Sequence, residues 1–394
     1  MTDVPMIPAD RAEAELGEQD RPALVIVTRR RALRIGGAGA IRDDNTFVQV
    51  SHPGADELPP GGTPRAHKGF ELGTAALRET DGQAALDAAA EVCAAAGARL
   101  TAAWVAEDVE LRLAASNGTR LSDRLTSARL FVVVEGADGA TARATGAAVA
   151  AADVDGAAVA RRALMRLPSA SAPSPIVAGP TRVVLDADAV AGILDHLGEV
   201  AFSGSAHAAG HGPLAGRLGT RVAASAINLS DSPRFARTLP RAFDAEGTLK
   251  APLPLIQDGV AHRVVHDRAS AALAGTQSTG NATGAGGPRP TNIVLIGGGA
   301  ADVHELAAPI EDGLYVTGFQ APDLLVGVRV IRGGTITADP ALDARLAGDA
   351  LEALTHTEAL ESVQRLVPLG PDEELPFSYG VVCPSLRTVL TLAG

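Results

Sequence analysis

The chain is predicted to be α+β, with a mixed α/β N-terminal half followed by a β-rich C-terminal domain, and three observations carry that prediction. Apolar runs of strand length are separated by the turn signals Asn117-Gly118, Asp138-Gly139 and Asp258-Gly259. Residues 84–96 and 154–167 instead repeat Ala, Leu and Val at helical spacing. Residues 168–180 are rich in Pro, Ser and Ala, the clearest compositional break in the chain, and strand-like segments dominate beyond it.

Residues 1–20 are polar, acidic and Pro-containing and read as a flexible tail. Strands are expected at 23–28 and 46–50, separated by Gly36-Gly37-Ala38-Gly39, and a Pro/Gly-rich loop at 51–69. Asp81 is placed to cap a helix over 84–96 that Gly97 stops. A β-meander follows, with strands at 109–114, 130–135 and 141–145, and then a helix at 154–167. Beyond the linker come a strand at 181–185, a helix over 188–202 and an irregular Gly/His-rich region to Gly219. Further strands flank Asp258-Gly259 and occupy 292–296, 314–319, 326–331 and 335–337; short helices fall at 268–274, 302–308 and about 346–354. The expected division is a tail (1–20), an N-terminal α+β region (21–170, with a break near 75–100), a linker (171–180) and a β-rich C-terminal domain (181–394).

A chain of 394 residues is long enough for two or three domains. Hydrophobic residues make up 46% but aromatics only 3%, so the cores must be built from Ala, Val and Leu. A net charge of -12 opposes binding to nucleic acid, and no basic stripe with interleaved aromatics offsets it. The one tight basic run, Arg29-Arg30-Arg31, reads as the solvated end of a strand. Two cysteines, Cys93 and Cys383, make no disulfide framework, and Asp3 and Asp10 stand where a secretory signal needs positive charge. The expected compartment is the cytoplasm. Ala-rich segments are interrupted by Asp153, Asp155 and Gly156, short of the roughly 20 apolar residues a bilayer requires, so no membrane contact is expected.

A hydrolytic zinc site needs two or three neutral ligands and a carboxylate that takes a proton from bound water. Of nine histidines only His304 is followed by Glu, and no second His lies at helical spacing after it. His207 and His211 are four apart, but Gly204, Gly210 and Gly212 argue for a loop rather than a helix there. His262 and His266 share the spacing in a strand-like run, where four residues span roughly 13 Å. Gly297-Gly298-Gly299 lacks the third glycine of a dinucleotide fingerprint and reads as a strand-to-helix turn. Cys383 precedes Pro384 and reads as a structural thiol, with a reactive nucleophile as the alternative.

The runs Phe243-Asp244-Ala245-Glu246-Gly247, Ile256-Gln257-Asp258-Gly259, Ser278-Thr279-Gly280-Asn281 and Ile310-Glu311-Asp312-Gly313-Leu314-Tyr315-Val316-Thr317, in this order, resemble the TldD/PmbA family of metallopeptidases. The resemblance covers residues 175–394 and, more loosely, 80–170. It implies an α+β N-terminal half, a β-rich C-terminal half and unfolded peptides as substrate. The family's zinc helix, H-E-x-x-x-H, falls on residues 192–204, where His196 is followed by Leu197 and the second His is replaced by Ala201; Glu199 lies between. The later G-T-C-G-K stretch is also missing, and no ligand role carries over to Cys383.

These departures resemble the companion TldE/PmbA type, which implies a non-catalytic subunit, no metal in this chain, and a TldD-type zinc subunit as heterodimer partner. Asp244, Glu246, Ser278, Thr279 and Asn281 are candidate substrate-binding residues, or else fix turns and strand ends. Two other readings stay open: a stand-alone diverged hydrolase or amide-processing enzyme using His196, Glu199 or Cys383, and a peptide-binding scaffold. The first segment is shorter than is usual for the family.

Overall fold

The computed structural model describes residues 8–37, 39–64, 67, 77–284, 286–369 and 379–393, and they form an α+β fold with three sheets. The N-terminal sheet is antiparallel, ordered β2-β1-β3-β4-β5, from β1 (Leu24–Gly36), β2 (Gly39–Ser51), β3 (Arg99–Ala115), β4 (Arg120–Glu135) and β5 (Thr141–Ala148). Three helices cover one face of it: α1 (Pro8–Gly17), α2 (Glu79–Ala95) and α3 (Gly156–Met165). Strand alternation explains the split, because Leu33 and Ile35 point toward α2 and α3 while Ile26 points the other way, onto the C-terminal half.

Three expectations change here. Residues 8–17, read as part of a flexible tail, are a helix that buries Ala12 against Val25 and Val27. The first two strands are each 13 residues, far longer than their apolar runs. Arg29, Arg30 and Arg31 lie in the middle of β1, not at a solvated strand end; they pair with Asp44, Glu107 and Asp108, respectively. Cross-strand ion pairs let a charged run continue a strand that hydrophobicity alone would have ended.

The C-terminal half begins with β6 (Gly179–Leu185), which starts inside the Pro-rich stretch, and α4 (Ala187–Val200). The remaining elements are α5 (Gly204–Ala208), β7 (Leu229–Asp231), β8 (Leu253–Gln257), β9 (Val260–Ala261), α6 (Arg268–Ala274), β10 (Ile293–Leu295), α7 (Val303–Ala307), β11 (Asp312–Gln320), β12 (Leu324–Arg332), β13 (Thr335–Pro340), β14 (Ala344–Arg345), α8 (Glu352–Thr355), β15 (Ala359–Leu360), β16 (Arg365–Leu369), β17 (Tyr379–Cys383) and β18 (Leu386–Leu392). They make a six-stranded sheet, β16-β17-β10-β7-β8-β9, and a seven-stranded one, β13-β12-β11-β6-β18-β15, with β14 beside β12. Pairing is antiparallel except for β10 with β17 and β11 with β6.

The largest core contains α4 together with residues of both sheets, and Ala187, Val190, Ile193, Leu194 and Leu197 are all buried in it. Asp186 caps α4 through Asp188 N–H and also accepts Tyr315 Oη at 2.5 Å and Arg166 Nη2 at 2.7 Å. One buried carboxylate thus joins the residue that ends α3, the start of α4 and β11. The Gly/His-rich region also departs from expectation, since Gly204–Ala208 is a short helix that includes His207. The strand around His262 and His266 is only Val260–Ala261, so neither histidine lies in it.

Candidate functional site

Residues 192–204, where the resemblance places a metal helix, fall on the second half of α4 and the turn after it. Asp195 and Glu199 are one helical turn apart, and both reach the same guanidinium: Arg289 Nη2 is 2.5 Å from Asp195 Oδ1 and Arg289 Nη1 is 2.8 Å from Glu199 Oε1. Tyr379 completes the group, with its ring under the Arg289 guanidinium at 5.1 Å and its hydroxyl 3.0 Å from Nη2. Burial lowers the guanidinium pKa, but the Asp195, Tyr379 and Glu199 groups outweigh it, and the net shift is upward. Arg289 is therefore a fixed cation held by the two carboxylates of the helix.

His196 is half-buried and turned toward the Phe319 ring, 6.0 Å between centroids. Cys383 is fully buried, and its thiol lies 3.3 Å from the Ala187 carbonyl as a donor. Burial, then the nearby Asp188 and Asp186, push that thiol well above its ordinary range, so it stays protonated. A zinc ion, as the family implies, does not fit these residues. The helix carboxylates already hold a cation, the thiol is a neutral donor, and among the described residues no three His, Cys, Asp or Glu side chains are grouped to hold a metal.

The other candidate residues gather one layer away. Asp244 is buried; its Oδ1 accepts Glu246 N–H (3.0 Å) and Thr248 N–H (2.9 Å), and its Oδ2 accepts Ala282 N–H (2.9 Å). Burial raises its pKa despite these backbone donors. Glu246 accepts Arg268 N–H at 3.0 Å, at the start of α6, and burial raises its pKa as well. Ser278 Oγ donates to the His266 carbonyl (3.2 Å), and Thr279 Oγ1 accepts His266 N–H (2.8 Å). Asn281 Nδ2 donates to Asp231 Oδ2 at 2.8 Å.

Gly280 sits between them at φ 76°, where a Cβ would come within 2.9 Å of the Leu249 carbonyl; only glycine fits both demands. Asp244 and Asn281 thus come together in one polar cluster, Ser278 and Thr279 flank it beside His266, and Glu246 stands off at α6.

Asp231 and Lys250 were missed in the sequence. Lys250 Nζ lies 3.0 Å from Asp231 Oδ2 and 3.2 Å from the Gly280 carbonyl, with both side chains almost fully buried. Asp231 Oδ1 also accepts Asn292 N–H at 2.7 Å. The only signal available was that lysine is rare here, with two in the whole chain. The cluster borders a cavity of about 30 Å3 under Thr28 and Gln49 of the N-terminal sheet, room for one or two waters.

A larger groove of about 940 Å3 opens on the other side of the Ser-Thr-Gly-Asn loop, lined by His207, His262, Arg263, His266, Ser278 and Thr279 among others. It brings three of the histidines together on one surface.

The PmbA/TldA metallopeptidase C-terminal domain matches residues 178–394. The chain belongs to the PmbA/TldD metallopeptidase family. A Methanothermobacter thermautotrophicus protein named "Metalloprotease" is 28% identical over 166 residues, which are 39% of this chain and 36% of that protein. The chain therefore matches only about a third of that relative's length. In fold, TldE from Thermococcus kodakarensis is similar with a TM-score of 0.78 and 18% identity, covering 98% of this chain and 99% of that one. A Thermotoga maritima chain named for modulation of DNA gyrase is similar with a TM-score of 0.76, 18% identity and the same coverage.

Proposed function

We propose that this chain is the metal-free subunit of a two-chain zinc peptidase, catalytically silent alone, and that it helps a TldD-type partner hold unfolded or small peptides for hydrolysis. The observation that carries the reading is the clamp of Arg289 on Asp195 and Glu199: a helix positioned for metal chemistry bears a permanent guanidinium in place of a ligand set. Family membership and a fold like that of TldE over nearly the full chain support it. In this reading zinc belongs to the partner, and the pair works in the reducing cytoplasm.

A peptide is held in extended form by backbone hydrogen bonds at a strand edge, whatever its sequence. Asp244 and Asn281 serve that role by fixing the loop that carries Ser278 and Thr279 to the groove, and Glu246 by holding the start of α6 before it, since their own hydrogen bonds are spent inside the protein.

The test is metal analysis and peptide hydrolysis by the purified chain, alone and co-purified with a relative bearing H-E-x-x-x-H. The expected result is a stable complex that contains zinc and hydrolyses peptides, with neither property in the isolated chain. Stoichiometric zinc in the isolated chain, or turnover lost on His196→Ala, would refute the proposal.

A further inference from the structure

The groove beside the Ser-Thr-Gly-Asn loop is large for a small-molecule site, where volumes run from roughly 300 to 1,000 Å3. Its chemistry runs against the composition of the protein. The chain carries 46 Asp and Glu against 34 Lys and Arg, yet no carboxylate is among the described residues that line this groove. What lines it instead are the Arg263 guanidinium, three imidazoles, and hydroxyls and an amide from 276–279, beside an apolar wall that includes Leu249 and Leu253.

Two acids close in sequence to the lining have their hydrogen bonds taken, although the Asp267 charge still acts on the His266 imidazole. Asp267 accepts Ser270 N–H and Oγ, each at 2.7 Å, as the cap of α6, and Glu246 is taken by Arg268. The carbonyls ending α6 are covered too, by Gly275 N–H on Ala272 and Thr276 N–H on Ala271. Arg263 and His262 are exposed, and among the described residues neither makes an ion pair. His207 keeps Nδ1 buried with no hydrogen-bond partner there. Among the described residues the three imidazoles do not group to hold a metal ion, so the positive lining suits an anion better than a metal.

We infer that this groove takes the free C-terminal carboxylate of an extended peptide, with Arg263 and His262 as its donors and the apolar wall holding the preceding side chains; this rests on the peptide-handling reading above. A terminal carboxylate is the one anionic group that every peptide carries, so its capture gives a fixed end point without sequence preference. Arginine is suited to it because the guanidinium presents paired donors that match a carboxylate.

The experiment titrates the full chain with an N-terminally fluorescein-labelled Ala/Leu hexapeptide, either with a free C-terminus or as the C-terminal amide, followed by fluorescence anisotropy. The free acid is expected to bind about tenfold more tightly than the amide. Arg263→Gln and His262→Gln, at exposed positions, are each expected to reduce that preference, and the double variant to abolish it with an unchanged Tm. Equal affinity for acid and amide, no binding of either, or a preference surviving in the double variant would overturn the inference. The subunit reading is scored separately, by whether the double variant still co-purifies with the zinc-bearing chain.

Discussion

At the scale of single residues, the molecule depends on a few buried charges, each held by partners from distant parts of the chain. Lys250 is the plainest case, because its ammonium has Asp231 as its ionic partner and both are out of water. Asp231→Ala leaves that cation buried and unpaired and is expected to cost about 3–5 kcal/mol, measured by urea unfolding. Asp186 supplies a pH test. Burial raises its pKa, but Arg166 and the Tyr315 hydroxyl outweigh that and hold the carboxyl at about 2. Its folded value lies below its unfolded one, so its stabilisation is complete above about pH 4 and is lost as pH falls toward 2. Tyr315→Phe removes one donor, so the acid-unfolding midpoint is expected to move to higher pH, with a loss of about 1.5–3 kcal/mol at neutral pH.

At the scale of elements, close packing of helices on the N-terminal sheet depends on small residues, as a composition poor in aromatics requires. Gly156, the first residue of α3, lies against the Ala85 carbonyl of α2, and a Cβ there would overlap it. Gly156→Ala is expected to destabilise by about 1–3 kcal/mol, read from the urea midpoint, because backbone rather than a flexible side chain must yield. Element legibility followed the same physics. The helix at 268–274 and the hairpin turn at Asp258-Gly259, with both residues at positive φ, were readable because caps and turn residues act locally. The full length of β1 was not, since Arg29, Arg30 and Arg31 extend it only through acids on β2 and β3.

At the scale of the whole molecule, the two halves share a core rather than a flexible joint. Phe243, the first residue of the Phe-Asp-Ala-Glu-Gly run, and Ala242 before it pack among Leu24, Ile26, Leu111 and Leu125 of the N-terminal sheet. Asp123 of that sheet accepts Ala242 N–H at 2.8 Å. The halves are therefore expected to melt in one calorimetric transition. Phe243→Ala, at a cost of about 3–5 kcal/mol, should lower that transition or split it in two, whereas a large core truncation elsewhere should only shift it.

The sequence by itself determined the fold class, most helices and turns of the C-terminal half, the family, and the departure from H-E-x-x-x-H, because each rests on local spacing or motif order. It could not show that Arg289, some ninety positions along the chain, would meet Asp195 and Glu199, or that Lys250 would meet Asp231. Nor could it distinguish a side chain that spends its hydrogen bonds on a turn, as Asp244 does, from one left facing a groove, as Arg263 is. Those outcomes depend on which surfaces the packed sheets bring together, and electrostatic pairing acts through space with no regard for separation along the chain.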